Sequence, residues 1–295
     1  MAVSGGPDSL ALLLLAADAL PGRFLVATVD HGLRSQSAAE AAYVAAICAA
    51  RGIAHAALPL QLERGSALQE RAREARYAAL GDWAEATGLA AIVTAHHADD
   101  QAETFLMRLN RGAGVRGLAA MRARSGMPGR PNFELLRPLL EWRRSELAQI
   151  VAEAGLPPVQ DPSNSDPRFE RVRVRAALAG ATGLDPLAVV ASTRHLAEAD
   201  AALEWAARRC LAEARMEGKV LCWTPADTPR AVGLRVLERI VALLGEGTPR
   251  GSALARWHDR LVAGEIATLA GVRGDGREEE WRFTAAPPPR VRPTP

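Results

Sequence analysis

The chain has 295 residues, 48% of them hydrophobic and 24% charged, with a formal net charge of +2, enough to bury a core in one large domain or two modest ones. Three cysteines, Cys48, Cys210 and Cys222, are too widely spaced for a disulfide framework or a Cys-x-x-Cys centre, which points to a reducing, cytoplasmic compartment. No apolar run reaches about 18 residues and the first residues carry neither a basic segment nor a cleavage site, so a membrane is not an expected partner.

The first polar cluster is Ser4-Gly5-Gly6-Pro7-Asp8-Ser9, running directly into the apolar helical stretch Leu10–Leu15. Two consecutive glycines allow backbone conformations closed to other residues and leave room for an anion beside bare N–H groups. The following helix directs its positive end at the same point. Ser4 and Ser9 add hydroxyl donors, and Asp8 offers a carboxylate for a Mg²⁺ that bridges phosphate oxygens. The ordinary P-loop pattern Gly-x-x-x-x-Gly-Lys-Ser/Thr is absent. A tight βα turn with a Ser or Asp helix cap is the competing reading of these six residues.

Short apolar runs of buried-strand length follow at Phe24–Val29, Ile53–Leu58 and Ala90–Thr94, with Ala-rich helical stretches between them at 36–50 and 66–87. Strand alternating with helix predicts an α/β fold with a doubly wound parallel sheet. In such sheets ligands sit beyond the carboxyl ends of the strands, where Ser4–Gly6, Asp30-His31 and His96-His97 all fall.

Thr94-Ala-His96-His97-Ala-Asp99-Asp100-Gln-Ala-Glu103-Thr104 leaves the third run and enters a helix expected to reach about Arg111. If helical geometry already holds from His96, the intervals of four and three put His96, Asp100 and Glu103 on one face. Their carboxylates suit Mg²⁺ or a substrate ammonium. For Asp99 an acidic helix start is the plainer reading. The following Gly112-Ala-Gly114-Val-Arg-Gly117 fits Gly-x-Gly-x-x-Gly, but a dinucleotide fingerprint must follow a strand, and this glycine run closes a helix.

The balance of charge changes along the chain. Residues 1–100 hold seven Arg against eleven acids, and residues 105–175 hold thirteen Arg against seven acids. Lys219 is the sole lysine, so contacts to phosphate would be of the bidentate guanidinium kind. Arg111, Arg171, Arg173 and Arg175 are the candidates for such contacts. If Arg171-Val-Arg173-Val-Arg175 is extended its arginines share a face, whereas a helix scatters them, and an exposed basic loop is the alternative. Beyond about residue 180 come a long amphipathic stretch from Pro186 to Arg215 and helical stretches at 230–244 and 252–263. These predict a second, smaller helical domain over 181–285 after a first domain of 1–180. A hairpin near Gly274-Asp275-Gly276 and a disordered tail over 286–295 complete the expected organisation.

Together these segments resemble the tRNA(Ile)-lysidine synthetase family of the N-type ATP pyrophosphatase, or PP-loop, superfamily. The shared motifs are Ser4–Ser9, Asp30-His31-Gly32-Leu33-Arg34, Ala72-Arg73-Glu74-Ala75-Arg76-Tyr77, His96–Thr104, Arg111-Gly112-Ala113-Gly114, Arg137-Pro138-Leu139-Leu140 and Asp161-Pro162-Ser163-Asn164. The resemblance is strong over the first 175 residues and one of architecture beyond them. It implies an adenine nucleotide alpha hydrolase-like domain that binds ATP through Ser4, Gly5, Gly6, Pro7, Asp8, Ser9, Asp30 and His31. It also implies Asp8 as the catalytic carboxylate linked to Mg²⁺, and His96, Asp100 and Glu103 as readers of free L-lysine. The implied partner is a tRNA(Ile) with a CAU anticodon, with no membrane and with a homodimer left open. In the implied reaction the wobble cytidine is adenylated and lysine then displaces AMP. Two departures stand out: only Met1-Ala2-Val3 precede the loop where the family has a full first strand, and Val172 replaces the usual asparagine of Arg-Asn-x-x-Arg. Two other readings compete with this one, a tRNA cytidine 2-thiolase, which needs cysteines this chain lacks, and a catalytically inactive tRNA-binding protein.

Overall fold

The computed structural model describes residues 1–32, 37–60, 68–160, 166–181 and 183–286. They divide into two compact units, Met1–Ala197 and Glu198–Pro295.

The first unit opens with helix α1 (Pro7–Ala19), followed by β1 (Val26–Asp30), α2 (Ser37–Ala49), β2 (His55–Pro59), α3 (Leu68–Ala86), β3 (Ala91–Val93) and α4 (Ala98–Leu109). The three strands and the helices between them thus match the alternation expected from the sequence. A short turn α5 (Val115–Leu118) leads to β4 (Arg124–Met127) and β5 (Arg130–Leu136), then α6 (Arg144–Glu153), α7 (Glu170–Gly180) and the start of α8 (Pro186–Ala212).

β1 and β2 pair in parallel from Val26 opposite His55 to Asp30 opposite Pro59. β3 pairs in parallel with β5, and β4 closes the edge antiparallel to β5. Met1–Val3 join the two groups of strands. The Ala2 N–H donates to the Val93 carbonyl at 2.9 Å, Ala27 N–H to the Met1 carbonyl at 2.9 Å, and Val3 N–H to the Ala27 carbonyl at 3.0 Å. Three residues therefore fill the central strand position, and Ser4 emerges from it between the carboxyl ends of β1 and β3.

Alternation along β1 divides the core between the two faces of the sheet. Val26 belongs to a cluster with Leu10 and Leu13 of α1, Val44 of α2, and Leu147 and Val151 of α6. Ala27, the next residue, packs with Tyr77 and Leu80 of α3 and with Ile92 and Leu135. Helices cover both faces, which explains why Leu10 and Leu13 are fully buried although the α1 sequence is apolar all round. The Arg137–Leu140 motif turns out to serve this scaffold. Leu139 and Leu140 are buried, and Arg137 donates to the Arg122 carbonyl at 2.8 Å and to Ser125 Oγ at 3.0 Å.

The second unit contains the helices expected from the sequence, α8 in part, α9 (Arg230–Leu244) and α10 (Gly251–Val262). With them lies a five-stranded antiparallel sheet of β6 (Arg215–Glu217), β7 (Val220–Trp223), β8 (Ile266–Leu269), β9 (Val272–Asp275) and β10 (Trp281–Ala285), in the order β6-β7-β10-β9-β8. Its core holds Phe283, Trp281, Trp223 and Trp257, and the Trp257 indole N–H donates to the Ala267 carbonyl at 3.0 Å. Gly274 lies inside β9, and a Cβ on Gly276 would stand 2.2 Å from the Leu261 carbonyl oxygen. These glycines admit the close approach of α10; one hairpin turns at Ala270-Gly271, between β8 and β9, and a second turns over 276–280, between β9 and β10, where Gly276 directly follows β9. Residues 287–295 of the expected tail lie outside the described residues.

Candidate active site

The loop after the central strand position is shaped by Gly5 and Ser9. Gly5 has φ +84°, and a Cβ there would approach Val159 Cγ2 to 2.9 Å. Both facts demand glycine. Val159 N–H donates to the Gly5 carbonyl at 2.9 Å, fixing the loop from its far side. The Ser9 hydroxyl donates to the Gly6 carbonyl at 3.0 Å and accepts the Ser4 N–H at 3.1 Å, while Ser4 Oγ lies 3.3 Å from Ser9 Oγ. Gly6 is the N-cap of α1 and Pro7 takes the first helical position, which needs no N–H donor. The first helical hydrogen bond runs from Leu10 N–H to the Gly6 carbonyl at 3.0 Å, so the N–H groups of Asp8 and Ser9 precede the helical ladder. The loop and first turn thus present amide donors at the positive end of a helix, a cradle for a polyanion.

Asp8 stands in that first turn with its Oδ1 buried and without a hydrogen-bond partner. Its Oδ2 lies 3.5 Å from Nε2 of His97. A hard cation seeks a buried carboxylate oxygen of this kind, so the donor set fits Mg²⁺. His97 is fully buried and caps α4. Its Nδ1 accepts the Asp100 N–H at 3.4 Å, and its own N–H donates to Asp100 Oδ2 at 3.2 Å, a reciprocal capping box. Burial by itself lowers the His97 pKa, but the carboxylates of Asp8, Asp100 and Asp99 outweigh it and hold the imidazole above its ordinary value.

The two neighbouring aspartates part company here. Asp99 Oδ2 accepts the Arg144 N–H at 2.8 Å and Oδ1 accepts from Arg143 Nη2 at 3.4 Å, so Asp99 fastens α4 to the start of α6. Asp100 turns toward His97 and Arg171, whose Nη2 is 3.4 Å from Oδ1. Burial raises the Asp100 pKa, and the charges of His97, Arg171 and His96 overcome it and keep the carboxyl below its ordinary value. His96 precedes the helix, with Nδ1 2.9 Å from the Thr94 hydroxyl. Desolvation lowers its pKa to about 4 despite Asp100, so the ring is neutral at neutral pH.

Glu103 is 1% exposed and accepts from Nε of Arg171 at 2.7 Å and from Nε of Arg175 at 2.6 Å. The Arg171–Arg175 segment is helical, not extended, and i,i+4 spacing brings these two guanidinium groups to one carboxylate. Arg173 lies on another face of α7 and donates to the carbonyls of Pro167 and Arg168 at 2.9 Å each. Arg111, 62% exposed, is ion-paired with Glu170. The structure therefore brings Asp8, Asp100, Glu103, Arg171 and Arg175 into one linked array through His97, and leaves Arg111 and Arg173 on the exposed rim.

Asp30 serves the turn after β1: its carboxylate accepts from Ser37 and from Gly32 N–H, at 2.9 Å, and these bonds hold its pKa down. Leu33-Arg34 and Asp161–Asn164 of the sequence motifs lie outside the described residues. Two features of the site were not anticipated. One is His97, whose signal was its place directly before the first helical residue. The other is a group of arginines from the Ala72–Tyr77 and Arg137 motifs. Arg73 and Arg76 stack over the Tyr77 ring at 5.1 and 5.5 Å, and burial lowers the pKa of Arg76 and Arg137. No carboxylate pairs with Arg73, Arg76 or Arg137 among the described residues. Arg137, Arg171 and Arg73 all act electrostatically on His96.

The loop, the sheet and the carboxylate-bearing helix define the class. Residues 1–181 match the family described as the PP-loop domain. The tRNA(Ile)-lysidine synthase of Novosphingobium aromaticivorans is 60% identical over 288 residues, spanning 97% of this chain and 88% of that one. The enzyme of the same name from Zymomonas mobilis is 42% identical over 98% of this chain and 88% of its own length. The chain belongs to the tRNA(Ile)-lysidine synthase family of PP-loop proteins. Among solved structures, a U34-tRNA thiolase from Methanococcus maripaludis with its [4Fe-4S] cluster shares the fold, with a TM-score of 0.55 at 18% identity over 67% of this chain and 71% of that chain. Among the described residues no helix is long and apolar enough to cross a membrane.

Proposed function

We propose that this chain joins free L-lysine to carbon 2 of the wobble cytidine in a CAU-anticodon tRNA(Ile) in the cytoplasm, splitting ATP to AMP and pyrophosphate with Mg²⁺ as cofactor. The observation that carries the reading is the buried, unpartnered Oδ1 of Asp8 in a glycine loop at a helix start, linked through His97 to Asp100. Relatives up to 60% identical that bear the synthase name support it.

In the first step the cytosine O2 attacks the α-phosphorus of ATP and the bond to pyrophosphate breaks. Amide donors at Asp8 and Ser9 and the Ser4 hydroxyl hold the phosphates and stabilise negative charge as it shifts onto the leaving group. Asp8 would hold Mg²⁺, which when bound supplies charge neutralisation to the phosphate oxygens. The guanidinium groups of Arg73, Arg76 and Arg137, free of carboxylate partners among the described residues, supply further positive charge for anionic substrate. In the second step the lysine ε-amine attacks carbon 2, AMP departs from the base, and the amine loses a proton. Asp100 recognises an ammonium of the incoming lysine, since a desolvated cation needs a carboxylate partner. Glu103, three residues further along α4 than Asp100 and held by Arg171 and Arg175, contributes once either arginine turns toward substrate phosphate. Arg111, Arg173 and the segment 181–285 add contacts to the tRNA.

The cysteines weigh against a thiolase. Cys48 is on α2, Cys210 on α8 and Cys222 on β7, with no Cys-x-x-Cys pair to hold a cluster. ATP–pyrophosphate exchange tests the first step. Exchange that requires the tRNA supports base adenylation, and exchange without tRNA, or none with it, contradicts it.

A further inference from the structure

Every polar atom of the His97 side chain has a position to account for. The ring is 0% exposed, and as an N-cap it is an uncommon choice, because Asn, Asp and Ser cap helices better. Capping uses only Nδ1, which accepts the Asp100 N–H at 3.4 Å. With Nδ1 accepting, the proton sits on Nε2. That nitrogen is buried and completes no hydrogen bond; it stands 3.5 Å from Asp8 Oδ2 and 3.4 Å from Asp100 Oδ2. One donor is thus aimed between carboxylates on two different helices, Asp8 in the first turn of α1 and Asp100 in the first turn of α4. The opposite oxygen of Asp8, Oδ1, is left without a partner.

We propose that His97 is a positioning residue that steadies Asp8 through Oδ2, so that Oδ1 is presented to the cation and phosphates, and that ties this carboxylate to Asp100. The proposal rests on the reading of Asp8 as the cation-linked carboxylate of the loop. Both distances exceed an ordinary N–H···O bond, as suits a contact that tightens when ligand enters. The imidazole is chosen over a better cap because its second nitrogen reaches Asp8, a distance an asparagine cannot span. Partner groups of this kind, one step removed from a cation, are worth about 10–100-fold in affinity or activity.

Two variants separate the tether from the cap. His97→Asn keeps an acceptor where Nδ1 was and loses the reach to Asp8, whereas His97→Gln places an amide donor near the Nε2 position and weakens the cap. The full chain is compared by thermal unfolding, by Mn²⁺ affinity measured by electron paramagnetic resonance with α,β-methylene-ATP present, and by tRNA-dependent ATP–pyrophosphate exchange. The expected result for His97→Asn is an unfolding temperature no lower than that of the parent, with Mn²⁺ affinity and exchange kcat each about 10-fold lower or worse. His97→Gln unfolds earlier yet retains more of both. If His97→Asn keeps full Mn²⁺ affinity and full exchange, the residue is only a cap and the proposal falls. A parent chain that shows no exchange would count against the proposed reaction, and the Mn²⁺ comparison would still decide the role of His97.

Discussion

At the residue scale, the division of labour among carboxylates sets the tests. On the proposed reading, in which Asp100 meets the ammonium of lysine and Asp8 serves the phosphates, Asp100→Asn should raise the lysine KM while leaving tRNA-dependent ATP–pyrophosphate exchange near the parent value. Equal loss of both steps would deny it that role. Glu103→Gln should destabilise the first unit by about 3 kcal/mol in urea titration, since it leaves two guanidinium groups without the buried carboxylate they share. His96 gives a pH signature. Its folded pKa of about 4 lies below the unfolded value near 6.5, so the unfolded chain takes up the proton first as pH falls. Stability is unaffected above about pH 7 and declines as pH drops from 6.5 toward 4. Between pH 7.5 and 5 the parent should lose about 2 kcal/mol more than His96→Gln, and parallel losses would show that His96 is not desolvated as described. The sequence made the Asp100 and Glu103 carboxylates legible through their spacing. It placed His96 with them only on the condition that the helix had already begun, whereas α4 starts at Ala98 and His97 is its cap.

At the element scale, the strand and helix alternation of the nucleotide half was readable because buried parallel strands are short and mostly apolar, as in Val26–Val29 and Ala91–Val93. β4 and β5 were not readable, because Arg130-Pro-Asn-Phe-Glu at the start of β5 is polar, carries a proline and lacks clean alternation, and β4, the edge strand, is only four residues long. β6 hid because Arg215–Glu217 is exposed throughout and only three residues long, and β7, though apolar, is a run of only four residues. For Arg171–Arg175 the period of two in the sequence competed with a period of 3.6, and the shared carboxylate Glu103 decides for the helix. The loop before α1 offers a direct test of backbone geometry. Gly5→Ala would place a Cβ at positive φ and against Val159, with a cost of about 1–3 kcal/mol. The expected outcome is a lower unfolding midpoint together with weaker ATP binding, and an alanine variant with parent-like ATP affinity would mean the loop tolerates another conformation.

At the scale of the whole molecule, three residues at the start of the sequence hold the first unit's two groups of strands together through the bonds of Ala2, Val3 and Ala27. The phosphate loop is therefore anchored on both sides, which removes the structural motive for reading the chain as an inactive RNA binder. The charge asymmetry seen in the sequence takes a physical form in the same unit. Arginines that follow residue 100 supply Glu103 with its partners, Arg171 and Arg175, and place Arg111 and Arg173 at the exposed surface. The central claim is that these parts carry out one reaction on one tRNA. It is tested most directly by incorporation of radiolabelled lysine into tRNA(Ile) bearing a CAU anticodon, with ATP and Mg²⁺, by the parent chain and by Asp8→Asn. The account predicts stoichiometric label in the tRNA with the parent and none with Asp8→Asn. Adenylation of the tRNA by the parent without any lysine incorporation would contradict it.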